Sequence, residues 1–473
     1  MERAAMLVGD AVLIADWLAT AAADAMLAGD ADRTRWLVAR VLDGPSLSQA
    51  HGRALFTLGL LEEYTGSVPY AVRLLASAAE ELDGEHRTRA LTELALARFR
   101  LNDVAGIGEC AARIQQTADP NDPEQRMLSD FTRGLAATLG GELAAGQVLL
   151  KDVTEQISRP PVRDDPRSLL FLALASGFLG DPRLAMAVGT HQLSQVRNRG
   201  AVGVLVPALA LFAAGRAWLG DHAGAFADAG EASELGDQLG YAADTAVAVE
   251  MLAWQSAARG LHEDARIALK RAKSLTDRAE TTGFAAHQAL TAAFCALCRA
   301  DPAVAVSLLE DRIAADGGVG SMGEPLGVAP YLIEAYVALG RHDDAIAVAE
   351  QFAAVTPATA PPWLRALVAR CRGLSAADET AQYRRTRPRS PPMPTHPIPS
   401  RPPARNSCMA PACAAAVNAS WRGNSCAPLM RPSRRWTSPP GCFMPPTNSP
   451  PLEPSRAPAD PRRPSRSPPK RHE

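Results

Sequence analysis

The chain repeats itself every 40 residues. "GDPRLAMAVGTHQ" begins at Gly180, "GDHAGAFADAGEA" at Gly220 and "GLHEDARIALKRA" at Gly260, followed by "ADPAVAVSLLEDR" at Ala300 and "GRHDDAIAVAEQF" at Gly340. A fixed period of this length excludes a single compact core. Each copy is one supersecondary unit that buries its apolar face only against the next. Looser copies come earlier: "GGELAAGQVLL" from Gly140, "NDVAGIGECA" from Asn102, "GSVPYAVRLL" from Gly66 and "GDADRTRWLV" from Gly29.

The spacing inside each copy has a physical reading. The anchors Gly66, Gly140, Gly180, Gly220, Gly260 and Gly340, with Ala300 in the same slot, end one helix, where glycine tolerates a left-handed backbone. The Asp, Pro and Ser residues that follow suit the first turn of the next helix. Five residues after the anchor stands an alanine, at Ala71, Ala145, Ala185, Ala225, Ala265, Ala305 and Ala345. It is small enough to let two antiparallel helices approach closely. Apolar-periodic segments flank each anchor, such as "VPALALFAAGRAWL" (206–219) before and "DARIALKRAKSL" (264–275) after. These observations predict an all-α chain, an α-solenoid of antiparallel helix pairs with a period of about 40 residues. Hydrophobic content of 47% with only 5% aromatic residues agrees with alanine- and leucine-packed helices rather than a large-pocket enzyme.

The anchor and its alanine resemble the turn and second helix of a tetratricopeptide repeat. The resemblance is best at "LGLLEEYTGSVPYAVRLLASAAEEL" (58–82), with Gly59, Gly66, Ala71 and Ala78 in the expected slots. The longer period makes the later copies tetratricopeptide-like.

Near residue 380 the composition changes. Residues 1–379 read as the repeat domain; residues 380–473 hold most of the 38 prolines and 16 basic residues against 3 acidic ones. A net charge of −2 therefore combines an acidic body with a basic tail. The tail buries too little apolar area to offset chain entropy and is expected to be disordered. Its text also suggests its origin, since Pro-, Arg-, Ala- and Ser-rich sequence is what GC-rich DNA gives in a wrong frame. Read one frame over, "NSCMAPACAA" (406–415) and "WTSPPGCFMPPTNSPPLE" (436–453) give leucine-, alanine- and aspartate-bearing helical text. The tail is therefore expected to be out-of-frame translation.

"GEPLGVAPYLIEAYVALGRHDDAIAVAEQF" (323–352) with "PPWLRALVARCRGLSA" (361–376) resembles the end of the helical arm of large ATP-binding LuxR-type transcriptional regulators. The resemblance covers 323–376 specifically and most of 1–379 loosely. It implies an arm that receives a protein or small-molecule signal, between a nucleotide-binding domain and a helix-turn-helix that binds promoter DNA. Two departures stand out. No G-x-x-x-x-G-K-[ST] occurs, and no recognition helix is readable after residue 380. Met1 falls just before a repeat helix, as if the reading frame began inside a longer gene.

The expected function is thus the non-catalytic sensor arm of such a regulator, with its ATPase and DNA-binding domains missing. Its signal would lie on the concave solenoid face. The alternative is a free-standing tetratricopeptide-like adaptor. An enzyme on an all-α toroid would want an aromatic-lined cleft and facing carboxylates, and Trp and Tyr are scarce. No cofactor, no membrane contact and no specific nucleic-acid binding are expected of this chain, and its expected location is cytoplasmic.

Several other motifs have ordinary structural readings. "GVGSMG" (318–323) matches G-x-G-x-x-G but follows a helix rather than a strand, so it reads as an inter-helix loop. Cys295 and Cys298 have no second pair to complete a zinc site and read as buried thiols on a packing face. His222, His262 and His342 recur at one repeat position and read as exposed first-turn residues too far apart to share a metal. The helix at 362–376 would have no following partner and should leave Trp363, Leu367 and Val368 partly uncovered.

Overall fold

The computed structural model describes residues 10–44, 48–159, 162, 165–316, 328–356, 360 and 362–376. Among these are nineteen α-helices and no strand. They run in consecutive pairs: α1 (Ala11–Leu27) and α2 (Ala31–Leu42), α3 (Ser48–Thr65) and α4 (Val68–Glu81), α5 (Gly84–Phe99) and α6 (Val104–Thr117), α7 (Pro123–Leu139) and α8 (Leu143–Ile157). Then come α9 (Ser168–Leu179) and α10 (Pro182–Asn198), α11 (Val202–Trp218) and α12 (His222–Leu239), α13 (Ala242–Ala258) and α14 (His262–Ala279). The pairs α15 (Ala285–Cys298) and α16 (Pro302–Asp316), and α17 (Ala329–Ala338) and α18 (His342–Val355), precede a last helix, α19 (Pro362–Leu374). Each helix packs on its sequence neighbours, and the first helices of adjacent pairs also touch, as α11 touches α13 and α13 touches α15. This is a tetratricopeptide-like α-solenoid.

One turn chemistry recurs throughout. The residue after the helix adopts a left-handed backbone at Gly29, Asn102, Gly141, Gly180, Gly220, Gly260, Ala300 and Gly340. The next N–H then donates to the carbonyl five residues back: Asp181 to Ser176 at 3.0 Å, Asp221 to Arg216 at 2.9 Å, Leu261 to Ser256 at 2.9 Å and Arg341 to Tyr336 at 2.9 Å. That bond satisfies a carbonyl the helix end would leave open. Where Asp follows the left-handed residue, its carboxylate starts the next helix. Asp30 accepts from Arg33 N, Asp103 from Gly106 N and Asp221 from Gly224 N, at 2.9–3.0 Å.

The same turn also closes the repeats onto one another, at Gly200, Gly240 and Glu280. From Gly180 to Ala300 the chain therefore turns every 20 residues, with helices of 17 or 18 residues between Pro182 and Ala279. The 40-residue period is two such hairpin steps.

The alanine slots lie where the helices of a pair meet. Ala71, Ala225, Ala305 and Ala345 are wholly buried, and Ala185 and Ala265 nearly so. Two of the sequence anchors fall differently. Gly140 keeps a right-handed backbone, and Gly141 is the left-handed residue. The register therefore slips by one: Ala145 is exposed and Gly146 takes the buried slot. A Cβ on Gly146 would lie 3.0 Å from the Thr138 backbone nitrogen, so this pair approaches more closely than alanine allows. Gly66 has no left-handed backbone, because Ser67 caps α4 directly through Tyr70 N. Gly59, in the tetratricopeptide slot, faces Leu75 so closely that a Cβ would come within 3.3 Å of its backbone nitrogen.

First and second helices differ in surroundings. In α13, residues 242–257 are buried except Val247, Leu252 and Trp254, which are half-buried. Its partner α14 buries only Ala265, Ala272, Leu275, Thr276 and Ala279, one face of the helix. The terminal helix α19 is docked as well. Leu364, Val368 and Cys371 are buried with Leu332 and Phe352, so Val368 is covered where partial exposure was expected; Leu367 is half-buried, as expected, and the Trp363 side chain lies outside those described. No described helix is long and apolar enough to cross a membrane. The expected tail, together with "GVGSMG", lies outside the described residues.

Two measurements check the turn register. Ala225→Leu, which overfills a closed slot, should destabilise the protein by about 1–3 kcal/mol in urea unfolding followed by circular dichroism. Ala145→Leu should stay within about 0.5 kcal/mol because it points to solvent. Separately, Ala300→Gly should stabilise by about 0.5–1 kcal/mol, since it removes a left-handed alanine at the cost of some unfolded-chain entropy.

Candidate functional site

Five charged side chains from helices far apart in sequence meet in the interior. Glu63 and its neighbour Tyr64 end α3. Glu93 sits within α5, and Arg100 follows that helix. Arg167 precedes α9, and Asp244 lies in the first turn of α13, just after Tyr241. Arg100 donates from Nε to Glu63 Oε1 and from Nη2 to Asp244 Oδ1, both at 2.8 Å. Arg167 donates from Nε to Glu93 Oε1 at 2.8 Å, from Nη2 to the same oxygen at 2.6 Å, and from Nη1 to the Tyr64 hydroxyl at 3.3 Å. The Tyr64 ring stacks on Tyr241 with centroids 4.9 Å apart, and the Arg100 guanidinium lies over it at 5.9 Å.

The carboxylates of this cluster are 3–7% exposed and its guanidinium groups 10–12%. Charges this dry are tolerated only when paired. Here the pairing is incomplete. Three carboxyl groups face two guanidinium groups, and Glu63 Oε2, Glu93 Oε2, Asp244 Oδ2 and the Tyr241 hydroxyl find no hydrogen-bond partner among the described residues. Burial pushes the Glu63 carboxyl up to about 7; Arg100 and Arg167 pull it down by more than Glu93 and Asp244 push it up, so the rise comes from desolvation. Burial also raises the Tyr64 and Tyr241 hydroxyls. Burial opposes the charge on Arg100, but Asp244 and Glu63 outweigh it and hold the guanidinium firmly charged.

The cluster lies on a seam between α1–α5 and α11–α15. Beside it, Thr282 Oγ1 donates to Leu101 O and Gly283 N to Arg100 O, each at 2.8 Å. Two glycines permit this approach. A Cβ on Gly283 would sit 2.4 Å from Phe99 O, and one on Gly203 would sit 2.4 Å from Met26 O. One apolar cluster runs through the seam and holds Met26, Leu61, Tyr64, Val206 and Tyr241 together. Repeats that are not sequence neighbours are thus joined, and the charged side chains of the cluster bridge helices on the two sides of the contact.

None of the seam residues was singled out by the sequence reading, which followed the repeat anchors. Gly203 and Gly283 lie outside the 20-residue turn register, but so do Gly189, Gly224 and Gly236, so position alone does not mark them. The residues that had been singled out for chemistry lie elsewhere. Cys295 is buried, its thiol pushed up to about 12 by burial, while Cys298 is half-buried rather than buried and is pushed up to about 11. His222, His262 and His342 are half-buried rather than exposed, with their Nδ1 atoms shielded, and the His222 ring stacks on Trp254 at 6.0 Å. Among the described residues no group of three or more His, Cys, Asp and Glu could hold a metal.

The class of protein that these helices and turns define is the tetratricopeptide-like helical repeat. Solved structures similar to the chain include a Rap protein complexed with competence and sporulation factor. It is 11% identical with a TM-score of 0.35, over 78% of this chain and 85% of that one. Another is the TPR domain of P58(IPK), 15% identical with a TM-score of 0.20, over 76% of this chain and 98% of that one. No protein-family model matches the chain, and no curated protein does.

Removing one member of the cluster should be costly. Arg100→Met leaves Glu63 and Asp244 buried without their cation and should destabilise by about 3–5 kcal/mol. Arg197→Met breaks a half-exposed pair with Glu231 and should cost less than about 1 kcal/mol. Urea titration of both variants checks the contrast.

Proposed function

We propose that residues 1–379 are the non-catalytic helical-repeat arm of a LuxR-type transcriptional regulator. The arm receives a protein or small-molecule signal, and the ATPase and helix-turn-helix domains of such a regulator are missing from this chain. Stacked helix pairs support an interaction role, because a solenoid offers long continuous faces to a partner. The observation that carries the regulator reading over a free-standing adaptor is the stretch 323–376, whose text resembles the end of that family's arm. Its described part forms α17, α18 and α19, docked on one another in the register of the preceding repeats. The adaptor remains the second reading, favoured by the recurrence of the same pair along the chain.

The concave face is the proposed place of the signal. Glu63, Tyr64, Tyr241 and Asp244 belong to first helices of their pairs or to the turns beside them, and they are buried in the seam. A partner that reaches them must part it. Residues 380–473 belong to this proposal as out-of-frame translation, on the strength of their composition and shifted-frame text.

Binding of random-sequence duplex DNA by the whole chain should need residues 380–473. It should fall steeply between low and physiological salt, as phosphate contacts do. The 1–379 fragment should bind no DNA in the same titration, and sequence-selective binding by that fragment would overturn the reading. The gene's flanking DNA separates the two readings. An upstream Walker motif and a downstream helix-turn-helix in the shifted frame support the arm; a stop within a few codons supports the adaptor.

A further inference from the structure

The seam combines two properties that seldom coexist. It is dry, and its charges do not balance. Glu63, Glu93 and Asp244 face Arg100 and Arg167, so full ionisation leaves one surplus negative charge among groups that water barely reaches. Two of the carboxyls belong to the N-terminal side of the seam, and Asp244 belongs to the other side. Arg100 bridges Glu63 and Asp244, so what a fully ionised seam must bear is the desolvation of a surplus charge held at the contact itself.

We propose that the seam is a proton-dependent latch: one proton held on Glu63 cancels the surplus charge and keeps α3 and α5 closed on α13, and loss of that proton loosens the contact.

Glu63 is the carboxyl that takes the proton. Its Oε1 accepts from Arg100 while its Oε2 has no partner among the described residues, so a proton on Oε2 displaces no hydrogen bond there. The groups that face it are Arg100 and Glu93 from α5 and its end, Arg167 before α9, Asp244 on α13, and the Tyr64 and Tyr241 hydroxyls. Glu62, next in sequence, pairs outward with Arg35 at 3.5 Å and takes no part.

The direction follows from linkage. The Glu63 carboxyl is raised in the closed seam to about 7 from an ordinary 4.5. Its stabilising contribution is therefore complete below about pH 4.5 and is lost as pH rises through about 7. A single proton makes the opening equilibrium grow about tenfold per pH unit between about 5 and 6.5, then level off above about 7. Opening uncovers the stacked Tyr64 and Tyr241 together with both guanidinium groups. The latch does not depend on which regulator or adaptor the chain serves.

Hydrogen–deuterium exchange on the full chain between pH 5 and 8, corrected for intrinsic rates, tests the latch. Segments 48–65, 84–101 and 241–258 should lose protection with that slope, and α18, remote from the seam, should not. Glu63→Gln mimics the protonated acid, and it should keep the seam protected and abolish the slope. Should Glu63→Gln fail to fold, near-ultraviolet circular dichroism of the wild-type Tyr64–Tyr241 stack gives an independent readout of the same pH midpoint. A wild type with equal protection at pH 5 and 8, or a slope that survives in Glu63→Gln, would overturn the proposal.

Discussion

The left-handed residue after each helix is the constraint on which the fold depends. Once its φ is positive, the next N–H reaches the carbonyl five residues back, and the chain can only reverse. Glycine fills this position at 180, 200, 220, 240, 260 and 340 because a Cβ there is strained. Equal helices between equal turns then stack without further instruction. Glu280 and Ala300 hold the same conformation against their own preference, which shows that the neighbouring helices, and not the residue alone, enforce the turn.

Helix burial follows from the stacking. A second helix touches its pair on one side and keeps charged residues on the other, as α14 does with Arg266, Lys270 and Lys273. A first helix is covered by its own pair, by the first helices before and after it, and, for α3, α11 and α13, by helices across the seam. That is why "VGVLVPALALFAAGRAW" (202–218) is apolar on nearly every side up to Arg216, though not long and apolar enough to cross a membrane. The seam asks for close backbone approach, and Gly203 and Gly283 supply it.

The helix pairs and their period were legible in the sequence because turn and alanine chemistry is local. Gly180, Gly220, Gly260 and Gly340 carry both the break and the count. The slip at Gly140 and Gly141 was not legible: two adjacent glycines each allow the turn, and only packing of Gly146 against Thr138 selects between them. The seam was hidden for a different reason. Arg100 and Asp244 are 144 residues apart, and nothing near either one signals a partner at that distance. Cys298 and the three histidines show a third kind of gap, since periodicity places a residue on a helix but does not say how much of its ring or thiol a neighbour covers.

The joining of distant repeats changes what kind of polymer this is. A plain solenoid behaves as a line of coupled beads, fraying from its ends and tolerant of losing a unit. A bond from Arg100 to Asp244 closes a loop around the repeats between them, and the Thr282–Leu101 bond closes a larger one. Loop closure must be met before either contact gives anything back, so such long-range contacts favour slower and more all-or-none folding of the stretch from Met26 to Gly283 than a plain line of repeats would show. The helices from Pro302 onward have their main contacts, among the described residues, with near neighbours, the arrangement of the line.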